Sequence, residues 1–260
     1  MDARLILLGL WFAAGSALAF DHSHAAWQAL LKKHVVVLDG GRASQLRYAG
    51  MAQDREPLRV YLQSLSAVDE AQFDAWSRPQ QMAFLVNAYN AFMVEKILAR
   101  YPDLRSVWDF GKLFGNPFKD RFFSLFQRPF SLDQIEHDTL RKRYAEPRLH
   151  YALNCASVGC PMLREEAYVA ERLERQLEAQ ASRFLSDRSR NRYRDGRLEV
   201  SKIFDWYQED FAPRSRYFAR YAKLLAENAD DQKLITEGKA ALAFLEYDWA
   251  LNDFPSSSPR

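Results

Sequence analysis

The chain has 260 residues, of which 48% are hydrophobic and 14% aromatic, and its formal net charge at neutral pH is +2. This apolar content excludes an intrinsically disordered chain, and a charge so close to zero gives no indication of nucleic-acid binding. The length is sufficient for one large core or two small ones and does not decide between them.

The first 19 residues have the pattern of a secretory signal peptide. Arg4 precedes an apolar run over residues 5–14, and Ala17-Leu18-Ala19 fits the small-x-small rule for a cut after Ala19. The run is shorter than the about 20 apolar residues that a membrane-spanning helix needs. We therefore expect a leader over residues 1–19, no membrane span, and a mature chain that is periplasmic or secreted.

Short helices that flank a hairpin are predicted for the part of the chain that follows the leader. The predicted elements are a helix over 25–33, a strand over 35–38, a return strand within 42–49, a helix opening at Pro57, and a next helix capped by Ser66. Asp39-Gly40-Gly41 provides the turn between the two strands, since aspartate and glycine favour turns.

The strongest helical pattern of the first half begins at Arg78-Pro79 and is ended by Tyr101-Pro102. It is apolar on almost every face, so we expect this helix to be buried. Asn87 and Asn90 stand out within it because a buried carboxamide needs hydrogen-bond partners. The two asparagines either satisfy backbone groups of neighbouring loops or face a cleft and bind substrate.

Aromatic residues are dense between positions 107 and 130 and follow no clean period. They predict short elements that cover the core, or the lining of an apolar pocket. A helix is then predicted from Ser131 to about Arg143, with Gln134 completing a capping box. Glu136 and His137 are adjacent in this helix and point in different directions, so one can face the core while the other faces water.

Residues 150–161, reading HYALNCASVGCP, contain both cysteines of the chain and one of its five histidines. Residues 148–153 are predicted to form a buried strand, and Pro161 is predicted to open a long helix. Cys155 would then lie between a strand and a helix, where free amide groups favour a thiolate. In an oxidising compartment, Cys155 and Cys160 are either a disulfide or a reactive thiol with a resolving neighbour.

The spacing of the two cysteines differs from the C-x-x-C of thioredoxin-like proteins and from a paired zinc knuckle. A structural zinc site would need several histidines in place of further cysteines, and only His150 is close in sequence. We therefore expect no metal and no cofactor.

The remaining chain predicts helices and a small sheet. The predicted elements are a long helix after Pro161, a surface hairpin at Asp195-Gly196, helices over about 216–226 and 230–238, a strand over 241–249, and a disordered tail over 255–260. No internal repeat and no Gly/Ser-rich linker divides the sequence. We expect residues 20–254 to form a single α+β domain that is mostly helical, with a small β-sheet.

Five ordered segments carry a family resemblance. They read FLVNAYNAFMVEKIL (84–98), SLDQIEHDTLR (131–141), PRLHYALNCASVGCPML (147–163), LEVSKIFDWYQEDF (198–211) and FLEYDWALN (244–252). Together they resemble the domain of unknown function 547 (DUF547) family over nearly the whole mature chain. The resemblance implies no activity, but it implies that the following residues occupy motif positions: Asn87, Asn90, Glu136, His137, His150, Cys155, Ser157, Cys160 and Pro161.

Three of these residues suggest covalent catalysis. A cysteine nucleophile needs a nearby base, and the base needs an orienting acceptor. We predict Cys155 as nucleophile, His150 as base and Glu136 as orienter. By role this is the Cys-His-acid arrangement of papain-like and transglutaminase-like enzymes, whose layout we expect the fold to resemble, although those chains usually place the nucleophile before the histidine.

The other motif residues are assigned to ligand binding or to disulfide chemistry. Asn87, Asn90, His137 and Ser157 are candidates for substrate binding, and Cys160 is the candidate disulfide or resolving partner of Cys155. Three functions of different classes fit this set. They are a thiol-dependent hydrolase or acyl transferase acting on an amide, ester or peptide bond, a redox protein for a low-molecular-weight thiol such as glutathione, and a non-catalytic module that binds a small molecule or peptide.

Overall fold

The computed structural model describes residues 19–111 and 115–255 of the chain. Within these ranges the protein is mostly helical and carries three small sheets, which confirms the predicted α+β class. The predicted leader and tail lie, except for Ala19 and Pro255, outside the described residues. Of the helices in the described ranges, none has the length and apolar character needed to cross a bilayer.

Helices outnumber strands in the described chain. The α-helices are α1 (Ala25–His34), α2 (Tyr48–Gln53), α3 (Arg55–Ser66), α4 (Glu70–Asp74), α5 (Arg78–Leu98), α6 (Arg141–Arg143), α7 (Leu149–Ala152), α8 (Leu173–Leu185), α9 (Ile203–Trp206), α10 (Arg214–Arg220), α11 (Ala222–Leu225) and α12 (Ala229–Thr236). The strands are β1 (Val35–Leu38), β2 (Ala43–Leu46), β3 (Phe123–Leu125), β4 (Arg128–Phe130), β5 (Arg192–Arg194), β6 (Arg197–Val200) and β7 (Ala241–Phe244). A π-helical stretch, Gln134–Leu140, leads into α6.

The first hairpin forms as predicted. β1 and β2 pair antiparallel from Val35↔Leu46 to Leu38↔Ala43, and Gly40 and Gly41 take positive φ in the turn between them. The predicted cap at Ser66 is wrong, because Ser66 is the last residue of α3. The cap of α4 is Asp69, whose carboxylate accepts a hydrogen bond from the Gln72 amide at 2.7 Å.

Helix α5 runs through the centre of the larger hydrophobic cluster. Ser77 and Gln80 form a capping box at its start, and Pro79 occupies its first turn. From Gln81 to Leu98 nearly every side chain is buried, as the apolar pattern predicts. Helices α2 and α3 and the π-helical stretch contact α5 directly, and α1 packs on α2 and α3, so α5 is the scaffold for the loops described next.

Asn87 and Asn90 hold two loops against α5 by hydrogen bonds to the loop backbone. The Asn87 carboxamide donates to the Tyr168 carbonyl at 2.8 Å and accepts from the Tyr168 amide at 3.0 Å. The Asn90 carboxamide donates to the Ala152 carbonyl and accepts from the Asn154 amide, both at 2.9 Å. Each asparagine therefore satisfies a carbonyl and an amide that would otherwise be buried without a partner.

Two predicted elements around the cysteine stretch are wrong. Residues 148–153 form a helical turn, α7, and not a strand, since a short apolar run is equally compatible with either when it is buried. The long helix begins at Leu173 and not at Pro161. Gln176 and Gln180, on α8, hydrogen-bond the backbone of Ala167, Val169 and Met162, and so hold the intervening chain in a non-helical form.

The last third of the chain builds a second hydrophobic cluster around a three-stranded sheet. β5 and β6 form the predicted hairpin at Asp195-Gly196, and β7 pairs with β6 in parallel. The strand predicted over 241–249 ends at Phe244, after which the chain passes beside the cysteine loop. The helix predicted over 216–226 is divided into α10 and α11 at Tyr221, whose backbone leaves the helical region.

Removal of the Asn87 carboxamide should destabilise the fold. In Asn87→Ala both polar backbone groups of Tyr168 lose their partner, and each buried unpaired group is expected to lower the free energy of unfolding by about 1–3 kcal/mol. Urea denaturation measures this, with Gln63→Ala as the control, because Gln63 is an exposed amide on α3. If Asn87→Ala lowers the free energy of unfolding no more than Gln63→Ala does, the Asn87 carboxamide does not stabilise the backbone at Tyr168.

Candidate functional site

A cavity of about 380 Å³ lies between the cysteine loop, the π-helical stretch and the segment after β7. The described residues that line it are Tyr89, Trp108, Asn116, Phe118, Asp133, Glu136, His137, His150, Leu153, Cys155, Cys160, Pro161, Ile203, Trp206, Tyr207, Tyr247 and Trp249. The size suits a small organic ligand, and the wall is aromatic with a few polar groups, as in small-molecule sites generally.

The two cysteines are joined by a disulfide in the wall of this cavity. Cys155 is half-buried, whereas Cys160 is only 3% exposed, so Cys155 is the more exposed cysteine of the pair. The Cys155 amide donates to the Cys160 sulfur at 2.9 Å. The backbone between the cysteines is compact, with Ala156 at a φ of +62°.

Two hydroxyl groups lie against the disulfide. The Tyr247 hydroxyl is 3.2 Å from each of the two sulfurs, and the Ser157 hydroxyl is 3.0 Å from the Cys155 sulfur. Because a disulfide sulfur carries no hydrogen, the hydroxyl groups are the donors. Burial raises the pKa of the Tyr247 phenol, so it keeps its proton at neutral pH.

The chain after β7 fixes the shape of the cysteine loop. The amides of Val158 and Gly159 donate to the carbonyls of Ala250 and Asp248, each at 2.8 Å. A Cβ atom at Gly159 would lie 2.9 Å from both the nitrogen and the oxygen of Asp248. Only glycine therefore permits this close approach, which brings Tyr247 over the disulfide.

His150 lies at the base of the cavity with both ring nitrogens directed at carboxylates. Nε2 is 2.6 Å from Oδ2 of Asp210, and Nδ1 is 3.8 Å from Oε1 of Glu136. The His150 ring also packs on Tyr207, with 4.0 Å between ring centroids. The His150 nitrogens thus make no hydrogen bond to Cys155, and Asp210 is the residue that orients the imidazole most directly.

Asp210 is held as a carboxylate by two partners. The hydrogen bond from His150 is the largest of the effects that lower the pKa of Asp210 well below its ordinary value. Arg141 lowers this pKa further, because its guanidinium donates a hydrogen bond to each carboxylate oxygen. Arg141 also lies 2.8 Å from Nδ1 of His137. The pair of Arg141 and Asp210 connects the start of α6 to the segment after α9.

Glu136 faces a pair of tyrosines from the buried side of the π-helical stretch. Its side chain is 11% exposed, while that of the neighbouring His137 is 36% exposed, so the two point differently as predicted. Burial raises the pKa of Tyr89 and of Tyr207, and the charge on Glu136 raises both further. Both phenols remain protonated at neutral pH and present donors to the cavity.

Exposed indoles form the rim of the cavity. Trp206 is 46% exposed and Trp108 is 39% exposed, which is unusual for such large apolar side chains. Trp249 lies between them, stacked on Trp206 at 5.7 Å and edge-on to Trp108 at 5.2 Å between ring centroids. These flat faces are available to a ligand that enters the cavity.

The structure brings together five of the eight predicted site residues. Cys155, Cys160, His150, Glu136 and His137 all line the cavity. The other three are Asn87, Asn90 and Ser157, which lie behind the wall and do not belong to its lining. Within the described ranges no group of three or more His, Cys, Asp or Glu side chains is arranged to hold a metal ion.

Sequence reasoning missed Asp210, Tyr207 and Tyr247. The signal was present, because Asp210 and Tyr207 belong to the quoted segment 198–211 and Tyr247 to the segment 244–252. Their partners are remote in the chain, with 60 positions between His150 and Asp210 and 92 between Cys155 and Tyr247. A pattern of spacing along the sequence does not reveal contacts over such separations.

The hydrogen bond of Asp210 predicts a pH dependence of stability. Because the pKa of Asp210 is lower in the folded chain than in the unfolded chain, its carboxylate stabilises the fold above about pH 4 and this stabilisation is lost as the pH falls further. The free energy of unfolding should therefore be higher for the wild type than for Asp210→Asn at neutral pH, and the difference should shrink below pH 4.

Urea denaturation at a series of pH values measures this difference. Asp103→Asn serves as the control, since Asp103 is exposed and outside the site. A difference between wild type and Asp210→Asn that stays constant down to the most acidic pH would contradict the account of this hydrogen bond.

Comparison with known families gives one match. Residues 73–185 match the family model described as "Protein of unknown function, DUF547". This range contains α5, the π-helical stretch and the cysteine loop, whereas Asp210 and Tyr247 follow it. No curated protein and no solved structure matches the chain. The expected likeness to the papain and transglutaminase layout therefore stays a prediction.

Proposed function

Over residues 73–185 the chain belongs to the DUF547 family, and from that premise we propose that it is an exported thiol–disulfide exchange protein for a small organic thiol. The observation that supports this function best is a disulfide in the wall of a ligand-sized cavity, with Cys155 half-buried and Cys160 buried. The predicted leader agrees with it, because disulfides persist in oxidising compartments. The class of partner is a small organic thiol of about the size of glutathione, and the acidic residues Asp133 and Glu136 of the lining favour one that carries positive charge.

The difference in exposure between the two cysteines determines which sulfur is attacked first. A thiolate in the cavity attacks the more exposed sulfur, Cys155, and the Cys155–Cys160 bond breaks. Cys160 leaves as a thiolate, which is stabilised by the Cys155 amide and by the Tyr247 hydroxyl. The product is a mixed disulfide between Cys155 and the ligand.

The mixed disulfide is resolved in one of two ways. The Cys160 thiolate can attack Cys155 and release the ligand thiolate, which restores the original disulfide. Alternatively, a second ligand thiolate attacks the ligand sulfur, so that two thiols become one disulfide while Cys155 and Cys160 are both reduced. The reaction is balanced by these sulfurs alone and runs in either direction according to the thiol potential of the compartment.

A purely stabilising disulfide explains the pair less well. The loop that the bond closes is very short, with a separation of five residues, and the entropic benefit of a cross-link grows with loop length. The loop is also already held by the hydrogen bonds of Val158 and Gly159 to the chain after β7.

A second candidate is the predicted hydrolase or acyl transferase, with reduced Cys155 as nucleophile. The hydrogen bond between His150 and Asp210 favours it, because a histidine oriented by a carboxylate on the same cavity wall is the usual partner of such a nucleophile. In that reaction Asp210 would take the orienting role that the sequence assigned to Glu136. The third function, a non-catalytic module, would use the aromatic cavity alone.

Single cysteine variants test the proposed exchange. We expect Cys160→Ser, incubated with oxidised glutathione, to form a stoichiometric adduct at Cys155, and Cys155→Ser to react about tenfold more slowly or worse, because Cys160 is buried. Mass spectrometry follows both adducts. The same reactions in denaturing urea are the control, since both variants should then react alike.

Equal rates for the two variants in the folded state, or no adduct with any small disulfide, would contradict the exchange function. The hydrolase candidate gives a different result: Cys160→Ser would then turn over an ester or peptide substrate, and His150→Gln would abolish that turnover. An exchange protein shows no such turnover.

The charge of the cavity predicts a preference among disulfides. Asp133 and Glu136 are acidic, and the described lining contains no Lys or Arg. In a partly desolvated cavity these carboxylates attract cations and repel anions. The cationic disulfide cystamine should therefore modify Cys160→Ser several-fold faster than the anionic oxidised glutathione does at mildly alkaline pH.

Neutralising one carboxylate should reduce this preference. The ratio of the two rates is expected to fall when Glu136→Gln is added to Cys160→Ser and to stay unchanged when Asp103→Asn is added instead. A ratio near one before any substitution at Glu136 would show that the carboxylates do not select the ligand.

A further inference from the structure

The predicted cut after Ala19 gives the mature chain a particular first sequence. It would begin Phe20-Asp21-His22, with a free amino group and a histidine in third position. Such an end offers four nitrogens in sequence: the amine, the amide nitrogens of the second and third residues, and Nδ1 of the histidine. Together they can form three fused chelate rings in one plane, and square-planar nitrogen sites are preferred by Cu²⁺ and Ni²⁺.

These nitrogens have no hydrogen-bond partner among the described residues. Nδ1 of His22 is buried and has no hydrogen-bond partner. The first amides of the segment that donate to described residues are those of Ser23 and His24, both to oxygens of Asp21. The amides of Asp21 and His22 donate to no residue of the described ranges, and the residues before Ala19 would be absent from the mature chain.

Packing holds the segment in place. The Phe20 ring lies 5.3 Å from both Trp76 and Phe84, and the His22 ring lies edge-on to Trp76 at 4.5 Å between centroids. The Phe20 ring also lies 5.4 Å from the His22 ring, so the first and third residues of the mature chain are held close together. A pre-positioned chain loses less conformational entropy when it binds a ligand than a frayed end does.

We infer that the mature N-terminus binds one Cu²⁺ or Ni²⁺ ion through the Phe20 amine, the amide nitrogens of Asp21 and His22, and Nδ1 of His22. The site depends on the predicted cut and is independent of the proposed thiol chemistry. It needs no side chain other than His22, and binding displaces the protons of the two amides and any proton on the amine. The metal class follows from the number and type of the nitrogens.

Copper titration of the exported protein tests this site. The full chain is expressed with its leader, the N-terminus of the exported product is determined by mass spectrometry, and Cu²⁺ is added in competition with glycine. We expect an N-terminus at Phe20, one equivalent of tightly bound Cu²⁺, and the visible and electron paramagnetic resonance spectra of four planar nitrogens. Oxidation of a cysteine does not produce these spectra.

Two variants control for adventitious binding. His22→Gln removes one ligand, and a glycine inserted between Phe20 and Asp21 keeps every side chain but moves the histidine to fourth position. Both should lose the four-nitrogen spectrum and bind Cu²⁺ at least about tenfold more weakly, with an unchanged circular dichroism spectrum. An exported N-terminus elsewhere than Phe20, or equal Cu²⁺ affinity in wild type and His22→Gln, would overturn the inference.

Discussion

The candidate site depends on the hydrogen bonds of one buried carboxamide. Asn90, in the middle of α5, holds the carbonyl of Ala152 and the amide of Asn154 at the same time. These two groups lie between His150 and Cys155, so a rigid central helix sets the turn that presents the histidine and the first cysteine to one cavity. Asn87 does the same for the chain at Tyr168, which follows the cysteine loop. The asparagines thus shape the site by fixing the backbone of the neighbouring loops, and they do not line the cavity themselves.

The other half of the site comes from distant parts of the chain. Asp210 follows α9 and orients His150, and Tyr247 follows β7 and covers the disulfide. The close backbone contact at Gly159 joins the last segment to the cysteine loop. These two segments therefore place the disulfide and His150 side by side. Neither segment has regular secondary structure near the site. The backbone positions of these two segments determine the chemistry of the cavity more than the surrounding helices do.

Much of the fold was predictable because its signals are local. Helix α5 followed from an apolar run that opens at Arg78-Pro79, and both predicted hairpins followed from their turn residues. The predictions failed where distant side chains decide the local conformation. Residues 161–169 carry a helical pattern, yet hydrogen bonds from Gln176 and Gln180 hold their backbone in a non-helical form. Similarly, the run around His150 is apolar enough for a strand, but it forms a helical turn against α8.

The site was predictable only in part for the same reason. Cys155, Cys160, His150, Glu136 and His137 stood out by residue type and by their place in short motifs, and the structure gathers them in one cavity. The partners of His150 and of the disulfide, Asp210 and Tyr247, are chemically ordinary residues in their own segments. Their importance becomes visible only when the fold brings them within hydrogen-bond distance.

The central claim is that the Cys155–Cys160 disulfide is open to exchange in the folded protein. Its most direct test is thiol alkylation of protein purified without reductant, with the modified residue mapped after brief exposure to a small thiol under native conditions. The account predicts no labelling at the start and then labelling of both cysteines while the protein stays folded. Free thiols from the outset, or a disulfide that opens only after the chain is unfolded in urea, would contradict it.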